Sequence, residues 1–205
     1  MRRARLRRAS AARAAALRSA AAVLLTTAAA FSPCRALDTI YLVRHAEKAS
    51  PWRDDVDDYR PLSPDGTRRA ERLAAILADA GIVAIYTSPT TRTIATGMPL
   101  AEAAKVPITP ARETIAADHQ EAFLTSLRDK HPGRAAVLIV GHSDTLPRLL
   151  DLLGADAACH ERLGIARDPK YGDLVEGYDG LWRVDLAGTG CARITRRSQD
   201  GAARR

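Results

Sequence analysis

The sequence predicts an α/β domain of three layers, in which a mostly parallel β-sheet carries helices on both faces. Three observations predict it. Short apolar runs rich in β-formers alternate with amphipathic helical stretches, and those stretches carry start and stop signals of their own. The 205 residues have room for one ordinary domain, and no repeat or long linker divides the body of the chain.

The elements follow in order. Residues 39–43 (TIYLV) are a continuous apolar run and read as a buried strand. Beyond the charged stretch 47–60, Leu62-Ser63-Pro64-Asp65-Gly66 is a helix start. Ser63 can cap free backbone N–H groups, Pro64 suits the first helical position, and Asp65 suits the positive end of the helix dipole. That helix carries Ala70, Leu73, Ala74, Leu77 and Ala80 on one face, and Gly81 stops it. Residues 82–86 (IVAIY) predict a second strand, 89–104 a helix, 106–108 a short strand and 118–130 another helix. The run 135–140 (AAVLIV) is the clearest buried strand, and Gly141-His142-Ser143 turns it into a helix reaching Leu153. Two late strands, 180–186 and 192–195, are joined at Ala187-Gly188-Thr189-Gly190. Ligands bind at the carboxyl ends of the strands in such sheets, so chemistry is expected in the turns after 39–43 and 135–140.

The formal net charge of +7 is unevenly distributed. Residues 1–36 hold eight arginines and no acid; without those eight, 23 basic residues face 24 acidic ones, a balance of −1. The basicity therefore belongs to the leader, and the body gives no electrostatic case for nucleic acid. The leader has the parts of a secretory signal: an arginine-rich stretch to Arg18, an apolar run of 13 residues over 19–31, and small residues before a cut after Ala36. The run falls short of the roughly 20 residues that span a bilayer. The expectation is a signal peptide over 1–36, a domain over 37–205, a periplasmic or secreted location, and no stable membrane anchor after cleavage. A transit peptide is the competing reading of a leader so rich in Arg, Ala and Ser. Cleavage leaves Cys159 and Cys191, either a disulfide permitted by an oxidising compartment or two small core residues.

Two strand ends carry the chemistry: Arg44-His45-Ala46-Glu47 and Gly141-His142-Ser143. A third segment, Thr87-Ser88-Pro89-Thr90-Thr91-Arg92, places Arg92 near the start of the following helix. Arginine presents a planar fork of donors that matches phosphate oxygens, a helix N-terminus adds free N–H groups, and an imidazole nitrogen can attack phosphorus. A structural role for Arg44 is the weaker reading, because a buried arginine without an anion is costly. Ser143 and Thr145 read as helix caps, and Glu47 and Lys48 as the mouth of the site or a surface pair. The acidic run 54–58 lacks the glycine and terminal glutamate of a calcium loop and reads as a solvated turn. His119, His131 and His160 have no partner pattern. No His-x-x-x-His or clustered carboxylate spacing points to zinc, so neither metal nor cofactor is expected.

These residues resemble the histidine phosphatase superfamily, which includes phosphoglycerate mutases and bacterial phosphohistidine phosphatases. Its Arg-His-Gly signature is similar to Arg44-His45-Ala46, and its Thr-Ser-x-x-x-Arg segment to Thr87, Ser88 and Arg92. Its second histidine, after an apolar strand, is similar to His142, and its Leu-Ser/Thr-x-x-Gly helix start to residues 62–66. The pieces stand in the family's order across residues 39–186. The resemblance implies a phosphoglycerate mutase-like fold and a phosphatase acting on a phosphomonoester or phosphohistidine. His45 would become phosphohistidine, Arg44, Arg92 and His142 would hold the phosphate, and water would complete the hydrolysis. The implied partner is a small phosphorylated substrate or a phosphoprotein. The family's acid motif is absent here. Glu113, Asp118, Glu121 and Asp144 are open as proton donors, with Asp118 and Asp144 foremost and Asp118 slightly ahead. Competing functions are a phosphoglycerate-type mutase, for which the interval after Arg92 leaves little room for a lid, and a phospho-ligand-binding relative with little or no turnover.

Overall fold

Alternation along the central strands sets the layers. The computed structural model describes residues 37–201, apart from 54, 55, 132 and 134; the expected signal peptide over 1–36 lies outside the described residues. In chain order the strands are β1 (Thr39–Arg44), β2 (Ile82–Thr87), β3 (Ile108–Pro110), β4 (Ala136–Gly141), β5 (Ile165–Asp168), β6 (Gly172–Val175), β7 (Gly180–Asp185) and β8 (Ile194–Ser198). The helices are α1 (Pro64–Leu77), α2 (Thr91–Ala104), α3 (Gln120–Lys130), α4 (Leu146–Leu152) and the single turn α5 (His160–Leu163). Six strands form one sheet in the order β3-β2-β4-β1-β7-β8. The pairs β1–β4, β2–β4 and β2–β3 are parallel, while β7 is antiparallel to both β1 and β8. The expected mostly parallel three-layer α/β class is the one observed.

A strand sends successive side chains to opposite faces. Tyr41, Val43, Leu138 and Val140 pack with Leu73 and Leu77 of α1 and Leu100 of α2 in one core. Their neighbours Ile40, Leu42, Val137 and Ile139 pack on the other face with Phe123 and Leu127 of α3 and Leu146 and Leu149 of α4. Strands buried on both sides need continuous apolar runs, which is what 39–43 and 135–140 supply. The helix start at 62–66 behaves as its chemistry requires. Ser63 Oγ accepts from the Gly66 N–H at 3.1 Å and Pro64 opens α1. A side chain at Gly66 would collide with the Glu47 carbonyl, so glycine lets α1 approach the turn after β1.

Several boundaries depart from the sequence reading. α1 closes at Leu77, so Ala80 lies beyond the helix. β3 sits at 108–110 rather than 106–108, because Ile108, Thr109 and Pro110 pair with Ile85, Tyr86 and Thr87. The helix after β4 begins at Leu146, since Thr145 Oγ1 accepts from the His142 N–H at 3.0 Å and holds a turn between them. β8 starts at Ile194, after a 3-10 turn over Gly190–Arg193. The β5–β6 hairpin was not foreseen; only Ile165 and Val175 of its two ends reach the core. Cys159 and Cys191 are joined as a disulfide, which ties the segment before α5 to the turn before β8. Among the described residues no helix is long and apolar enough to cross a membrane.

Candidate active site

Parallel pairing brings three strand ends to one edge. Arg44 lies opposite Gly141 in the β1–β4 ladder, and Thr87 lies opposite Val140 in the β2–β4 ladder. Backbone bonds continue past the strands: His45 N donates to Gly141 O at 2.9 Å and Ser88 N to Val140 O at 3.3 Å. The residues after each strand are thereby drawn together.

His45 is only 4 % exposed. Its Nδ1 donates to the Ala46 carbonyl at 2.8 Å; since a carbonyl can only accept, the proton sits on Nδ1 and Nε2 keeps its lone pair. Ala46 N donates to Thr96 Oγ1 at 3.0 Å, and that hydroxyl donates to the Arg92 carbonyl at 2.7 Å. The turn carrying His45 is thus fastened to α2. Burial lowers the His45 pKa to about 3, and although the Ala46 hydrogen bond opposes this, His142, Arg92 and Arg44 push the same way. His142 is lowered to about 4, by burial first and then by Arg92, with Asp144 opposing. Both imidazoles are neutral at neutral pH, and a neutral imidazole is a nucleophile.

The ring centroids of His45 and His142 lie 5.3 Å apart. Each imidazole feels the charge of both Arg44 and Arg92, so the four residues singled out in the sequence converge. Ser88 Oγ lies 2.7 Å from His142 Nε2 and joins Thr90 Oγ1 (3.1 Å) and Thr93 Oγ1 (2.9 Å) in a buried hydroxyl cluster that fixes the second ring. Ser88 belongs to the Thr-Ser-x-x-x-Arg pattern, but nothing local in the sequence shows what it touches.

Arg92, the second residue of α2, is 7 % exposed. Its Nη1 donates to the Asp57 carbonyl at 2.7 Å and faces Asp57 Oδ2 at 3.1 Å. Lys48 Nζ and Arg60 Nη1 approach the other carboxylate oxygen at 3.3 and 3.4 Å. Burial works against the Asp57 charge, yet Arg92, Lys48 and Arg60 together hold its carboxyl below the usual carboxylate range. Arg44 Nη1 donates to the Gly177 carbonyl at 3.0 Å, with its guanidinium carbon 4.2 Å from the centre of the Tyr178 ring. The Nε groups of Arg44 and Arg92 are buried and find no acceptor among the described residues. An unmet buried donor is expensive, and an anion would answer it.

The remaining sequence candidates fall in different places. Glu47 is not a loose residue at the mouth: Arg69 grips it with Nε at 2.9 Å and Nη2 at 2.7 Å, and Arg69 Nη1 reaches Asp200 at 2.9 Å. Asp118 stands before α3 with an 81 % exposed side chain, paired with His119 at 3.4 Å. Glu113 and Glu121 are exposed. Asp144 lies in the turn after His142, close enough for its charge to act on that imidazole. Asp57 and Tyr178 escaped the sequence reading, since both arrive from loops whose path depends on distant contacts. Among the described residues, no three His, Cys, Asp or Glu side chains are grouped to hold a metal.

Fold and cluster together define a three-layer α/β protein with two neutral imidazoles and two guanidiniums at the carboxyl edge of its parallel strands. Residues 40–116 match the model of the histidine phosphatase superfamily (branch 1). The chain is similar in structure to SixA from Agrobacterium tumefaciens, with a TM-score of 0.57 and 22 % identity over 78 % of this chain and 94 % of that one. It is similar to the protein histidine phosphatase SixA solved with tungstate (TM-score 0.55, 20 % identity, 79 % and 97 % covered). It is also similar to a mycobacterial glucosyl-3-phosphoglycerate phosphatase solved with VO3 (TM-score 0.56, 15 % identity, 78 % and 97 % covered). At such identities the likeness is one of fold. No curated protein matches the chain.

Proposed function

We propose that this chain is a histidine phosphatase that hydrolyses a phosphomonoester or phosphohistidine through a covalent intermediate on His45. One observation carries the reading: a buried, neutral imidazole has Nδ1 tied to a backbone carbonyl and Nε2 left free, beside two guanidiniums and a second imidazole. In the first step Nε2 attacks phosphorus in line, the P–N bond forms, and the bond to the leaving-group oxygen breaks. Arg44 and Arg92 neutralise charge on the equatorial oxygens, and the neutral His142 ring can hold the phosphate by a hydrogen bond. In the second step water attacks the same phosphorus, the P–N bond breaks, and inorganic phosphate departs with His45 neutral again. Asp57 engages only Arg92 Nη1, so the unmet Nε is a donor left for the phosphate.

Asp144 is the better-placed proton donor. Both residues are exposed, but the Asp144 charge acts on His142, whereas the Asp118 carboxylate is paired with His119. A carboxyl here would protonate the departing oxygen and then accept the proton of the attacking water. A hydrolase fits better than a mutase, since the link from β3 to β4 holds only a 3-10 turn and α3 among the described residues.

We read the protein as exported. The Cys159–Cys191 disulfide supports this, because such bonds persist in oxidising compartments and are rare in the cytosol. The motif resemblance, the matched family model and the fold shared with phosphatases support the activity. The test is phosphate release from an aryl phosphate. The intact protein should turn over, and His45→Ala should lose at least about a thousandfold in kcat. An unchanged rate in that variant would remove the proposal.

A further inference from the structure

The turn between β6 and β7 reaches across the open side of the site and is built to stay there. Gly177 adopts φ +66°, a conformation that favours glycine, and so aims its carbonyl at Arg44 Nη1. Behind it, Gln199 at the end of β8 is 4 % exposed and braces the turn from below. Its N–H donates to Asp179 O at 2.8 Å, and its Nε2 donates to Tyr178 O and to Gly180 O, each at 3.3 Å. The Tyr178 ring so held has the Arg44 guanidinium over its face at 4.2 Å and stands 5.8 Å from the His45 ring. An aromatic face attracts a cation and restricts its plane, while leaving the N–H edge free to donate.

We propose that Tyr178 is a positioning residue for phosphate binding: its braced ring holds the Arg44 guanidinium flat, so that the N–H edge stays turned to the phosphate beside His45. This rests on the phosphatase reading. Arg44 is the last residue of β1 and its side chain is long; without the ring, the Gly177 carbonyl is the one hydrogen-bond acceptor found for its head group among the described residues. The interaction needs the ring and not the phenol hydroxyl, so phenylalanine should substitute for tyrosine at this position.

The experiment measures tungstate affinity by calorimetry for the intact protein, Tyr178→Phe, Tyr178→Leu, Arg44→Met and the Arg44→Met/Tyr178→Leu pair, with thermal unfolding run alongside. Tyr178→Phe should stay within about twofold of the parent, and Tyr178→Leu should bind about three- to tenfold more weakly at unchanged unfolding temperature. In the Arg44→Met background, Tyr178→Leu should cost nothing further. An equal loss in both backgrounds, a phenylalanine variant as weak as the leucine one, or no loss at all would each overturn the inference. Tungstate binding without phosphate release from an aryl phosphate would sink the phosphatase reading alone, leaving the 44–178 coupling to be judged by affinity. An intact protein that binds no tungstate would overturn both.

Discussion

β1 and β4 are covered on both faces by apolar side chains that change sides at every residue, β2 shares this from Ala84 to Tyr86, and their ladders run parallel. The antiparallel edge is held differently. Trp182 Nε1 donates to the Leu163 carbonyl at 2.8 Å, Arg162 to the Ile194 and Cys191 carbonyls at 3.1 Å, and Arg193 to Leu153 O at 2.6 Å, with the disulfide alongside. The two regions also contribute differently to the site. The parallel strands end in the imidazoles and guanidiniums that would meet the phosphate, and the edge supplies the braced turn that restrains one of them. Apolar periodicity built the platform, and long-range polar ties aim what stands on it.

Four measurements would break or sharpen this contrast. The largest effect should come from the parallel side: Arg92→Ala should lower kcat/KM by roughly a hundred- to a thousandfold, as removal of a preorganised charge does in phosphoryl transfer. At the edge, replacing Cys159 and Cys191 by serine should cost about 3–4 kcal/mol of stability, the closure entropy of a loop of this length, with kcat little changed. A loss of activity as large as that of Arg92→Ala in a still-folded protein would erase the distinction between the halves. Denaturant titration reads the stability, and phosphate release from an aryl phosphate reads kcat.

The third measurement concerns acid. His45 and His142 have folded pKa values of about 3 and about 4, below the ordinary value near 6.5, so the unfolded chain binds their protons first. Their contribution to stability is therefore complete above about pH 6.5 and is lost as pH falls, levelling only below the folded values. Each imidazole should add up to about 1.4 kcal/mol per pH unit to the slope near pH 5, and His142→Gln should remove one such increment. A slope unchanged by that variant would contradict the buried, neutral state. The smallest effect is expected at Asp57. Asp57→Asn leaves the backbone carbonyl on Arg92 but removes the competing charge, so orthophosphate should inhibit several-fold more tightly, and more so at low salt. Weaker inhibition would mean that Asp57 assists the anion rather than competing with it.

The parallel half was legible because its signals are local. Residues 40–43 and 135–140 are apolar throughout, Ser63 and Pro64 announce α1, and Arg44 closes β1 while His45 and His142 directly follow strands whose ends must be neighbours. Arg92 was legible for the same reason, at the second position of the helix that follows β2. The edge was harder. β5 and β6 bury only their ends, so their letters show no steady alternation, and β8 is Ile-Thr-Arg-Arg-Ser, with one fully buried residue. Tyr178 is 133 or more residues from Arg44 and His45 in the chain, and nothing near it indicates an arginine overhead. Asp57 looked like one more member of a solvated acidic run until Lys48, Arg60 and Arg92 were found around its carboxylate. Among the proton-donor candidates, Asp118 stands between the motifs with an exposed carboxylate, and Asp144 stands two residues after His142. Sequence order alone does not show that the Asp144 charge acts on His142.

The central claim is that His45 Nε2, and no other atom, takes the phosphoryl group. It is tested most directly by mixing enzyme with an aryl phosphate, quenching in alkali within the first turnover, and mapping the modified residue by mass spectrometry, since phosphohistidine survives base and not acid. The account predicts an initial burst of aryl alcohol matched by phosphorylation on His45. A burst-free reaction with no phosphorylated residue, or phosphate found on another side chain, would contradict it.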